Sequence, residues 1–563
     1  MTTGIERGRN DLLAWEKNKP RNFFTSDDNL GRVLELRLGQ ERYQAEKKRL
    51  AEVGEMVGTK LSGLMLQTNH DDNLPRLERY NGLGVRTEEV VFHPSYHDAG
   101  RLIWQTGVLA DYKQPGNETL QMGIMHMLAQ PGENGHNCPL ACTAGLIKIL
   151  QRVGNKEQQD RWLPGLLDRD YEKRIHASQF LTEVQGGSDV GSNAVVAKKD
   201  ADGWRIHGEK WFCSVIDAQL FLMTARPEGA PDGTRGLGLF VVPRTVDGQV
   251  NEFNVRRLKQ KLGTRAMASA ETDFAGARAY QVGELDRGFK NVVEHVLNTS
   301  RIFNAICCAG AMQGAYREAA SFARHRTAFG QTIGRFPLVQ EALALLRAET
   351  LGATASTLRL VSQADRMALG KGDETLAGAW RVGVNVNKYW TAIRNTQMVR
   401  QAIEVFGGNG VIETFTPLVQ LFRDSMVLES WEGTHNVLVQ QVLRDSERYG
   451  IHRAFMSELR ESAERLTLKG DDTKLRERIL GGIDVLEGGF NKLADGVGDQ
   501  RFGRRVVDQA AVNLELVAML EELAAFPDDN AKRGAIQLIA DQHLQNELKP
   551  PADVPPGLVP AFD

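Results

Sequence analysis

The spacing of hydrophobic and polar positions changes along the chain and divides it into four stretches. From residue 27 to about 167, apolar residues recur at spacings of three and four, which is typical of amphipathic helices, and Gly154 stands where one helix should stop. From about 176 to 286, short β-branched and aromatic runs such as LGLFVVP alternate with Gly, Pro and Asp turns. This second stretch predicts a compact β domain.

Helical spacing returns after residue 286 in long segments whose apolar stripes predict four or five antiparallel helices. Beyond about residue 448 a further helical stretch, in which carboxylates outnumber basic residues, leads into a Pro-rich tail. The predicted order is therefore α, β, α and an additional α segment. The corresponding boundaries are an N-terminal helical domain over 1–177, a β domain over 178–287, a C-terminal helical bundle over 288–447 and a helical extension with its tail over 448–563.

Composition and charge are those of an ordinary folded protein. Hydrophobic residues make up 42% and charged residues 25%, which argues against a disordered, collagen-like or disulfide-stapled chain. The 69 basic and 72 acidic residues give a net charge of -3, so no general excess of positive charge favours nucleic acid.

Cysteine usage and the absence of long apolar runs bear on the compartment. The five cysteines have no paired CxxC spacing, so we expect reduced thiols in the core and no metal site. The charged N-terminus lacks the apolar centre of a signal peptide, and no apolar run is long enough to cross a bilayer. We therefore expect a cytoplasmic protein without a membrane span.

Two neighbouring segments carry candidate chemistry. In LTEVQGGSDVGS, residues 181–192, small residues allow backbone N–H groups to approach a ligand, and hydroxyls can bond a polar heterocycle or phosphate. A glycine-rich turn alone is more often only a turn. In EKWFCS, residues 209–214, an aromatic pair followed by a hydroxyl suits a planar ring, although an ordinary strand facing the core has the same pattern.

LTEVQGGSD resembles the first signature of the acyl-CoA dehydrogenase flavoprotein family, and three further motifs follow in the family's order. RTAFG at 326–330 resembles its RxxFG turn, EVFGGNG at 404–410 its second signature, and Arg423-Asp424 followed by WEGT its RD and YEGT pair. The resemblance covers about residues 27–448. It implies an α+β fold in which a β-barrel domain lies between an N-terminal helical domain and a C-terminal four-helix bundle, here with a C-terminal helical extension.

The same resemblance implies FAD as the cofactor and assigns residues to it. Those matched to the flavin and phosphate contacts are Leu181, Thr182, Gly187, Ser188, Phe212 and Ser214. Those matched to the adenine half and the second signature are Arg326, Phe329, Glu404, Gly407, Gly408, Thr434 and Asn436. Thr182 is expected at the pyrimidine edge, Ser214 at N5, and Arg326 on the FAD of a neighbouring subunit. The chain departs from the family's usual Trp, Thr and Gln at Phe212, Ser214 and Glu404.

Glu432 stands at the family's position for the catalytic base, with Arg301 expected near the active site. In some relatives the base instead precedes the helix arginine matched by Arg301, and that position is Ser300 here. A thioester α-proton is only weakly acidic, so the base needs a dry pocket that raises its pKa, and Trp431 could form one wall. The alternative is that Glu432 is merely a helix-capping carboxylate.

Two classes of function are consistent with these residues. The first is an FAD-dependent acyl-CoA dehydrogenase that converts an acyl-CoA to trans-2-enoyl-CoA, passes electrons to electron-transferring flavoprotein and forms a homotetramer or dimer. KWFCSV and SWEGT, however, are closest to the AidB-like branch of the family, which is associated with the alkylation-damage response and DNA binding. The alternatives are therefore a DNA-binding flavoprotein or a fatty-acyl-binding protein on the same scaffold. The charge balance favours the dehydrogenase, and DNA is possible but not favoured.

Overall fold

The N-terminal part of the chain is a layer of helices. The computed structural model describes residues 4–133 and 135–552, so most of the predicted Pro-rich tail lies outside the described residues. The helices are α1 (Gly4–Lys17), α2 (Asp28–Leu38), α3 (Gln40–Met56), α4 (Ser62–Thr68), α5 (Pro94–Gln105), α6 (Glu118–Leu128), α7 (Asn137–Val153) and α8 (Lys156–Leu166). As predicted, α7 stops at Gly154, and a capping box formed by Asn155 and Gln158 begins α8.

A β-hairpin interrupts these helices, and the helical prediction for residues 27–167 was wrong there. The strands β1 (Arg76–Tyr80) and β2 (Arg86–Val91) pair antiparallel. No residue of β1 is buried, and its sequence RLERY is mostly charged. An exposed strand of this kind lacks the apolar alternation by which a half-buried strand is identified.

The middle of the chain forms the predicted β domain, in which a seven-stranded sheet closes into a barrel and two short strands, β8 and β9, form a separate hairpin. The strands of the domain are β3 (Ala177–Phe180), β4 (Val196–Asp200), β5 (Gly203–Ser214), β6 (Leu220–Pro227), β7 (Gly238–Pro243), β8 (Thr245–Val246), β9 (Gln249–Val250), β10 (Phe253–Leu258) and β11 (Ser269–Gln281). The order is β10-β11-β5-β4-β6-β3, and β7 pairs with both β6 and β11. Because β7 joins these two strands, the sheet closes around a core that includes Phe180, Phe221 and Phe240.

The C-terminal part is a bundle of long helices that pack against the N-terminal helices. It contains α9 (Gly288–Asn291), α10 (Asn298–His325), β12 (Thr327–Ala328), β13 (Gln331–Thr332), α11 (Pro337–Ala368), α12 (Glu374–Phe406), α13 (Leu418–Ser430) and α14 (His435–Tyr449). Helix α10 is buried along most of its length. Gly310 and Gly314 allow it to lie against α6, because a Cβ at either position would come within 2.5 Å of the carbonyl oxygen of His126 or Gln130.

The C-terminal extension packs directly on the bundle. Its helices are α15 (Ile451–Glu464), α16 (Asp471–Ala494), α17 (Gln500–Ala525) and α18 (Asn530–His543). The buried Arg359 of α11 forms ion pairs of 2.7 Å with Glu458 and 3.0 Å with Glu521. Tyr389 of α12 donates a 2.6 Å hydrogen bond to Asp508. The extension therefore shares one apolar core with the bundle.

No helix within 4–133 and 135–552 combines the length and apolar character needed to cross a membrane.

Candidate functional site

The loop that follows β3 is folded back on itself, and this turn positions Thr182. The Trp211 N–H donates to the Thr182 carbonyl at 2.9 Å, which ties the loop to the end of β5. Gly186 has a φ of +133°, a conformation that side-chain-bearing residues rarely adopt. A Cβ at Gly187 would lie 2.5 Å from the Thr182 hydroxyl oxygen. Both glycines are therefore required by the shape of the loop.

A buried ion pair that no sequence motif marks holds this loop. Lys210 Nζ lies 2.7 Å from Glu183 Oε1, with both side chains inaccessible to solvent. Glu183 Oε2 also accepts the Ala194 N–H at 2.6 Å, and Lys210 donates to the Leu181 carbonyl at 3.3 Å. Burial lowers the pKa of Lys210, and Glu183 partly opposes that shift. The ion pair thus holds the backbone of the loop at Leu181, next to Thr182.

Phe212 and Ser214 lie at the end of β5, beside this loop. The Phe212 side chain is 48% exposed, so the alternative of a strand residue facing the core is wrong for it. Lys259 Nζ lies 4.7 Å from the centre of the Phe212 ring. Ser214 Oγ is 3.0 Å from Ser269 Oγ, which accepts a 3.0 Å hydrogen bond from Lys261. An exposed ring beside hydroxyl and cationic donors fits a planar, electron-poor heterocycle such as a flavin.

Glu432 occupies the short turn between α13 and α14. Its φ is +58°, an unfavourable conformation for a residue with a side chain. Two cations hold the turn through its peptide carbonyls: Arg301 Nε donates to the Glu432 carbonyl at 3.1 Å, and Lys388 Nζ donates to those of Glu429 and Gly433 at 3.0 Å each. Burial raises the pKa of the Glu432 carboxyl, and the charges of Arg301 and Lys388 partly oppose that rise.

Arg301 contacts the Glu432 turn, and its predicted role in catalysis stays a prediction. Besides the Glu432 carbonyl, its guanidinium donates to Asn385 at 2.7 Å and to Gln441 at 3.0 Å. The side chain is buried, which lowers its pKa to about 10, and it does not line the neighbouring cavity. Lys388, which holds the other side of the turn, was missed because nothing within α12 marks it as different from an ordinary helical lysine.

A cavity opens beside Glu432, between the bundle and the N-terminal helices. Trp431 and Glu432 form part of its wall, and α7, α10 and α13 supply most of the rest. Its lining is mainly apolar and small, including Ala129, Ala141, Phe303, Ala311, Leu421 and Leu428, with Cys138, Cys142, Cys307 and Glu133 among them. The carboxyl of Glu432 therefore faces a largely apolar chamber, as a base acting on a weak carbon acid requires.

Most of the residues matched to the adenine half of FAD and the second signature lie at the other end of the bundle, and Thr434 and Asn436 are the exceptions. Phe329 is at the tip of the β12–β13 hairpin and is 97% exposed. Glu404 is exposed and lies 3.6 Å from Arg400, and Gly407 and Gly408 end α12 with open space around them. Helix α10 separates this end from Arg301 by 24 residues, or about 36 Å at 1.5 Å per residue. One chain therefore does not bring the two predicted groups together.

Thr434 and Asn436 lie close to the Glu432 turn, and both are exposed at the start of α14. Asn436 Oδ1 accepts a hydrogen bond from Arg504 of α17, so the extension reaches this part of the predicted cofactor site. Gly187 and Ser188 are likewise exposed on the loop after β3. The five free cysteines are buried or half-buried, which agrees with the expectation of reduced thiols.

Comparison with protein families matches three consecutive parts of the chain. Residues 15–173 match the N-terminal domain of the adaptive response protein AidB, residues 178–277 the acyl-CoA dehydrogenase middle domain, and residues 286–446 the acyl-CoA dehydrogenase C-terminal domain.

Individual relatives agree with these matches. The chain is 32% identical over 440 residues to acyl-CoA dehydrogenase family member 11 of Caenorhabditis elegans, covering 75% of this chain and 70% of that protein. It is 32% identical over 412 residues to the putative acyl-CoA dehydrogenase AidB of Escherichia coli, covering 70% and 73%. The crystal structure of C. elegans ACDH-11 in complex with C11-CoA superposes with a TM-score of 0.88 at 26% identity, covering 93% of this chain and 92% of that one.

Proposed function

The chain belongs to the acyl-CoA dehydrogenase family, on its AidB-like side, and from that premise we propose that it oxidises an acyl-CoA thioester to the trans-2-enoyl-CoA with Glu432 as the base. The observation that carries this proposal is the Glu432 turn. Its carboxyl lies on the wall of a largely apolar cavity, its pKa is raised by burial, and its backbone is held by two buried cations.

In the proposed reaction Glu432 takes the proton from the α-carbon of the thioester. A raised pKa makes the carboxylate a stronger base, and the apolar walls exclude water that would compete for it. Arg301 and Lys388 bond peptide carbonyls, so within the described part of the chain no donor occupies the Glu432 carboxylate oxygens. Both oxygens therefore remain available to accept the proton.

FAD is the family's cofactor, and the residues around β5 fit it. We propose that the exposed Phe212 ring covers the flavin, that Ser214 donates at N5, and that Thr182 binds the pyrimidine edge. The contacts attributed to Leu181 and to the loop residues Gly187 and Ser188 remain part of the same proposal. When bound, FAD supplies the acceptor for the hydride that leaves the β-carbon of the substrate.

We propose a homo-oligomer, tetramer or dimer, in which each cofactor is bound by two subunits. Arg326 and Phe329 follow the far end of α10, about 36 Å along that helix from Arg301, which contacts the Glu432 turn. Glu404, Gly407 and Gly408 lie at the end of α12, about 24 Å or more along that helix from Lys388, which contacts the same turn. An almost fully exposed phenylalanine at a hairpin tip is also unfavourable unless a partner covers it. Thr434 and Asn436 would complete the site within the same chain as Glu432.

The remaining partners are inferred from the family. We propose electron-transferring flavoprotein as the electron acceptor. The relative crystallised with C11-CoA supports an acyl-CoA ligand, without specifying the chain length used here. A DNA-binding role gains no support from the arginines of α17: Arg501 pairs with Asp499, Arg504 donates to Asn436, and Arg505 donates to the Lys549 carbonyl at 2.8 Å.

The test is an anaerobic titration of the flavin-loaded protein with acyl-CoAs of several chain lengths, followed in the visible flavin absorption band. We expect at least one thioester to bleach the band, and Glu432→Gln to slow bleaching by about 10²- to 10⁴-fold, the usual contribution of a general base. Glu429→Gln is the matched control, because Glu429 lies at the end of α13, three residues before Glu432, but pairs with His435 at 2.8 Å. A flavin that stays oxidised with every thioester, while acyl-CoA or duplex DNA binds, would refute the dehydrogenase proposal.

A further inference from the structure

Glu133 is a second carboxyl group on the wall of the Glu432 cavity, and the chemistry described above does not use it. Only 4% of the residue is exposed. Neither carboxyl oxygen has a hydrogen-bond partner among residues 4–133 and 135–552. A buried polar group is normally paired, because leaving it unpaired costs much of its lost hydration. An unpaired carboxyl that faces a ligand cavity therefore calls for a partner supplied by the ligand.

Hydrogen bonds hold the backbone of Glu133 where its loop borders the cavity. Its N–H donates to Asp424 Oδ2 at 3.0 Å, and its carbonyl accepts from Gln420 at 3.2 Å. Asp424 in turn accepts the Thr264 N–H at 2.6 Å. These contacts tie the loop after α6 both to α13 and to the β domain.

The groups that face Glu133 favour its neutral form. Burial raises its pKa to about 8, and Asp424 on α13 adds to the rise. Lys261, in the β10–β11 loop, and the N–H groups of Gly135 and Cys138 oppose it, although those N–H groups do not reach hydrogen-bonding geometry. Cys307 on α10 also faces it as a buried thiol. Near neutral pH the group is thus chiefly a carboxylic acid, which can both donate and accept a hydrogen bond.

Two helices show that Glu133 and Glu432 lie at different depths of the same cavity. Asp424, which holds Glu133, precedes Glu432 by eight residues along and just beyond α13, or about 12 Å at 1.5 Å per residue. On α10, Arg301 contacts the Glu432 turn, whereas Cys307, nearly two turns later, faces Glu133. An extended chain advances about 1.2 Å per bond, so this distance corresponds to roughly eight to ten carbons.

We propose that Glu133 is a specificity-determining residue that selects acyl chains carrying an oxygen, such as a hydroxyl group, roughly eight to ten carbons beyond the carbon at which Glu432 acts. This proposal rests on the proposed function, since it takes Glu432 as the reference point for the thioester. A plain alkyl chain at the same place would keep the carboxyl unpaired, whereas a hydroxyl would satisfy it. Sites built to bond a substrate hydroxyl discriminate strongly against the analogue that lacks it.

The test compares the affinities of dodecanoyl-CoA and of dodecanoyl-CoAs hydroxylated at carbon 10 or 12, which lie eight and ten carbons beyond the α-carbon, C2. The carbon-8 isomer, outside that range, is a control and should bind like the alkyl chain. Isothermal titration calorimetry on the FAD-loaded Glu432→Gln protein measures binding without turnover. We expect one hydroxylated isomer to bind about 10- to 100-fold more tightly than the alkyl chain, the range for one buried hydrogen bond gained where a polar group was unpaired. Glu133→Leu should abolish this preference and strengthen binding of the alkyl chain, and Glu133→Gln should retain part of the preference.

The control is Glu515→Gln, which removes a buried carboxyl whose pKa is also raised but which lies outside the cavity, and it should leave the preference unchanged. If trapped water alone satisfies Glu133, the alkyl chain binds as tightly as every hydroxylated one, and the proposal is overturned. A preference that persists in Glu133→Leu overturns it as well. Adding the same thioesters to the wild-type protein and following flavin bleaching separates the two proposals. A binding preference without bleaching would refute the dehydrogenase function but would still support the role of Glu133.

Discussion

Replacing Lys388 with methionine should separate activity from stability. The ammonium group is fully buried, and its contacts with the Glu429 and Gly433 carbonyls hold the turn of Glu432. Burial lowers the pKa of Lys388 from 10.5 to about 8, with Cys308 and Glu432 partly opposing the shift. At about 1.4 kcal/mol per pKa unit, keeping this group charged costs the folded state roughly 3 kcal/mol near neutral pH.

Two terms of similar size therefore oppose each other in Lys388→Met. The substitution removes the cost of about 3 kcal/mol, but it leaves two peptide carbonyls without their donor, at about 1–3 kcal/mol each. The net change in the free energy of unfolding should consequently be small, within about 3 kcal/mol, which is a few degrees in Tm for a chain of this length. Turnover depends on the geometry of the turn rather than on this sum, and it should fall by about 10²-fold, because small misplacements of reacting groups have effects of that size.

The assay combines calorimetric Tm values with anaerobic rates of flavin bleaching over a range of pH. Since the charge of Lys388 lowers the pKa of Glu432, the limb of the pH profile that reports ionisation of the base should move to higher pH in Lys388→Met. Lys388→Arg serves as a control that keeps the charge. The reasoning is refuted if Tm and activity fall together by the amounts expected for a core defect, or if the pH profile remains in place.

Three further predictions concern other parts of the site. Lys210→Met should lower the free energy of unfolding by about 3–5 kcal/mol and reduce the amount of bound FAD, because it leaves the buried Glu183 carboxylate without its cation. Adding Glu183→Gln to this variant should restore most of the lost Tm. Phe329→Ala should leave Tm nearly unchanged but weaken flavin retention and subunit association, measured by flavin content and by light scattering after gel filtration; unchanged values for both would argue against a shared site. The pKa of Glu133 is about 8 in the folded chain and ordinary in the unfolded one, so the folded state binds more protons between about pH 4.5 and 8. The free energy of unfolding should therefore decline as pH rises through that window, and the decline should be smaller in Glu133→Gln.

How far the sequence predicts the site depends on whether its residues are neighbours in the chain. Thr182, Phe212 and Glu432 lie in short motifs, and each is found where its motif implies, in a loop, at a strand end or in a turn. Lys388 and Glu133 act through contacts made more than 40 residues away in sequence, and no local pattern marks either one. Short motifs therefore point to candidate residues whose roles stay predictions, while the groups that contact and surround them could be found only from the fold.

The fold shows the same division between local and distant information. The barrel and the bundle were predicted because buried strands and helices carry a repeating apolar pattern. The exposed β1–β2 hairpin carries none, and the pattern could not show that the extension joins the bundle core through Arg359, whose two carboxylate partners come from α15 and α17. Burial produces a periodic pattern of apolar residues in the sequence, whereas a specific pairing between distant polar side chains produces no such pattern.

If Glu432 is the base, as proposed, the way in which the cations contact its turn explains how that base would be both well positioned and strong. An arginine or lysine paired directly with the carboxylate would fix it, but it would also lower its pKa and occupy the oxygens that must accept the proton. Arg301 and Lys388 instead donate to backbone carbonyls in and beside the turn, so these hydrogen bonds hold the backbone while only the more distant charge of each cation reaches the carboxylate. Desolvation then remains the largest influence, and the pKa of Glu432 stays above its ordinary value. Moving either cation onto the carboxylate would improve the ion pair and weaken the base.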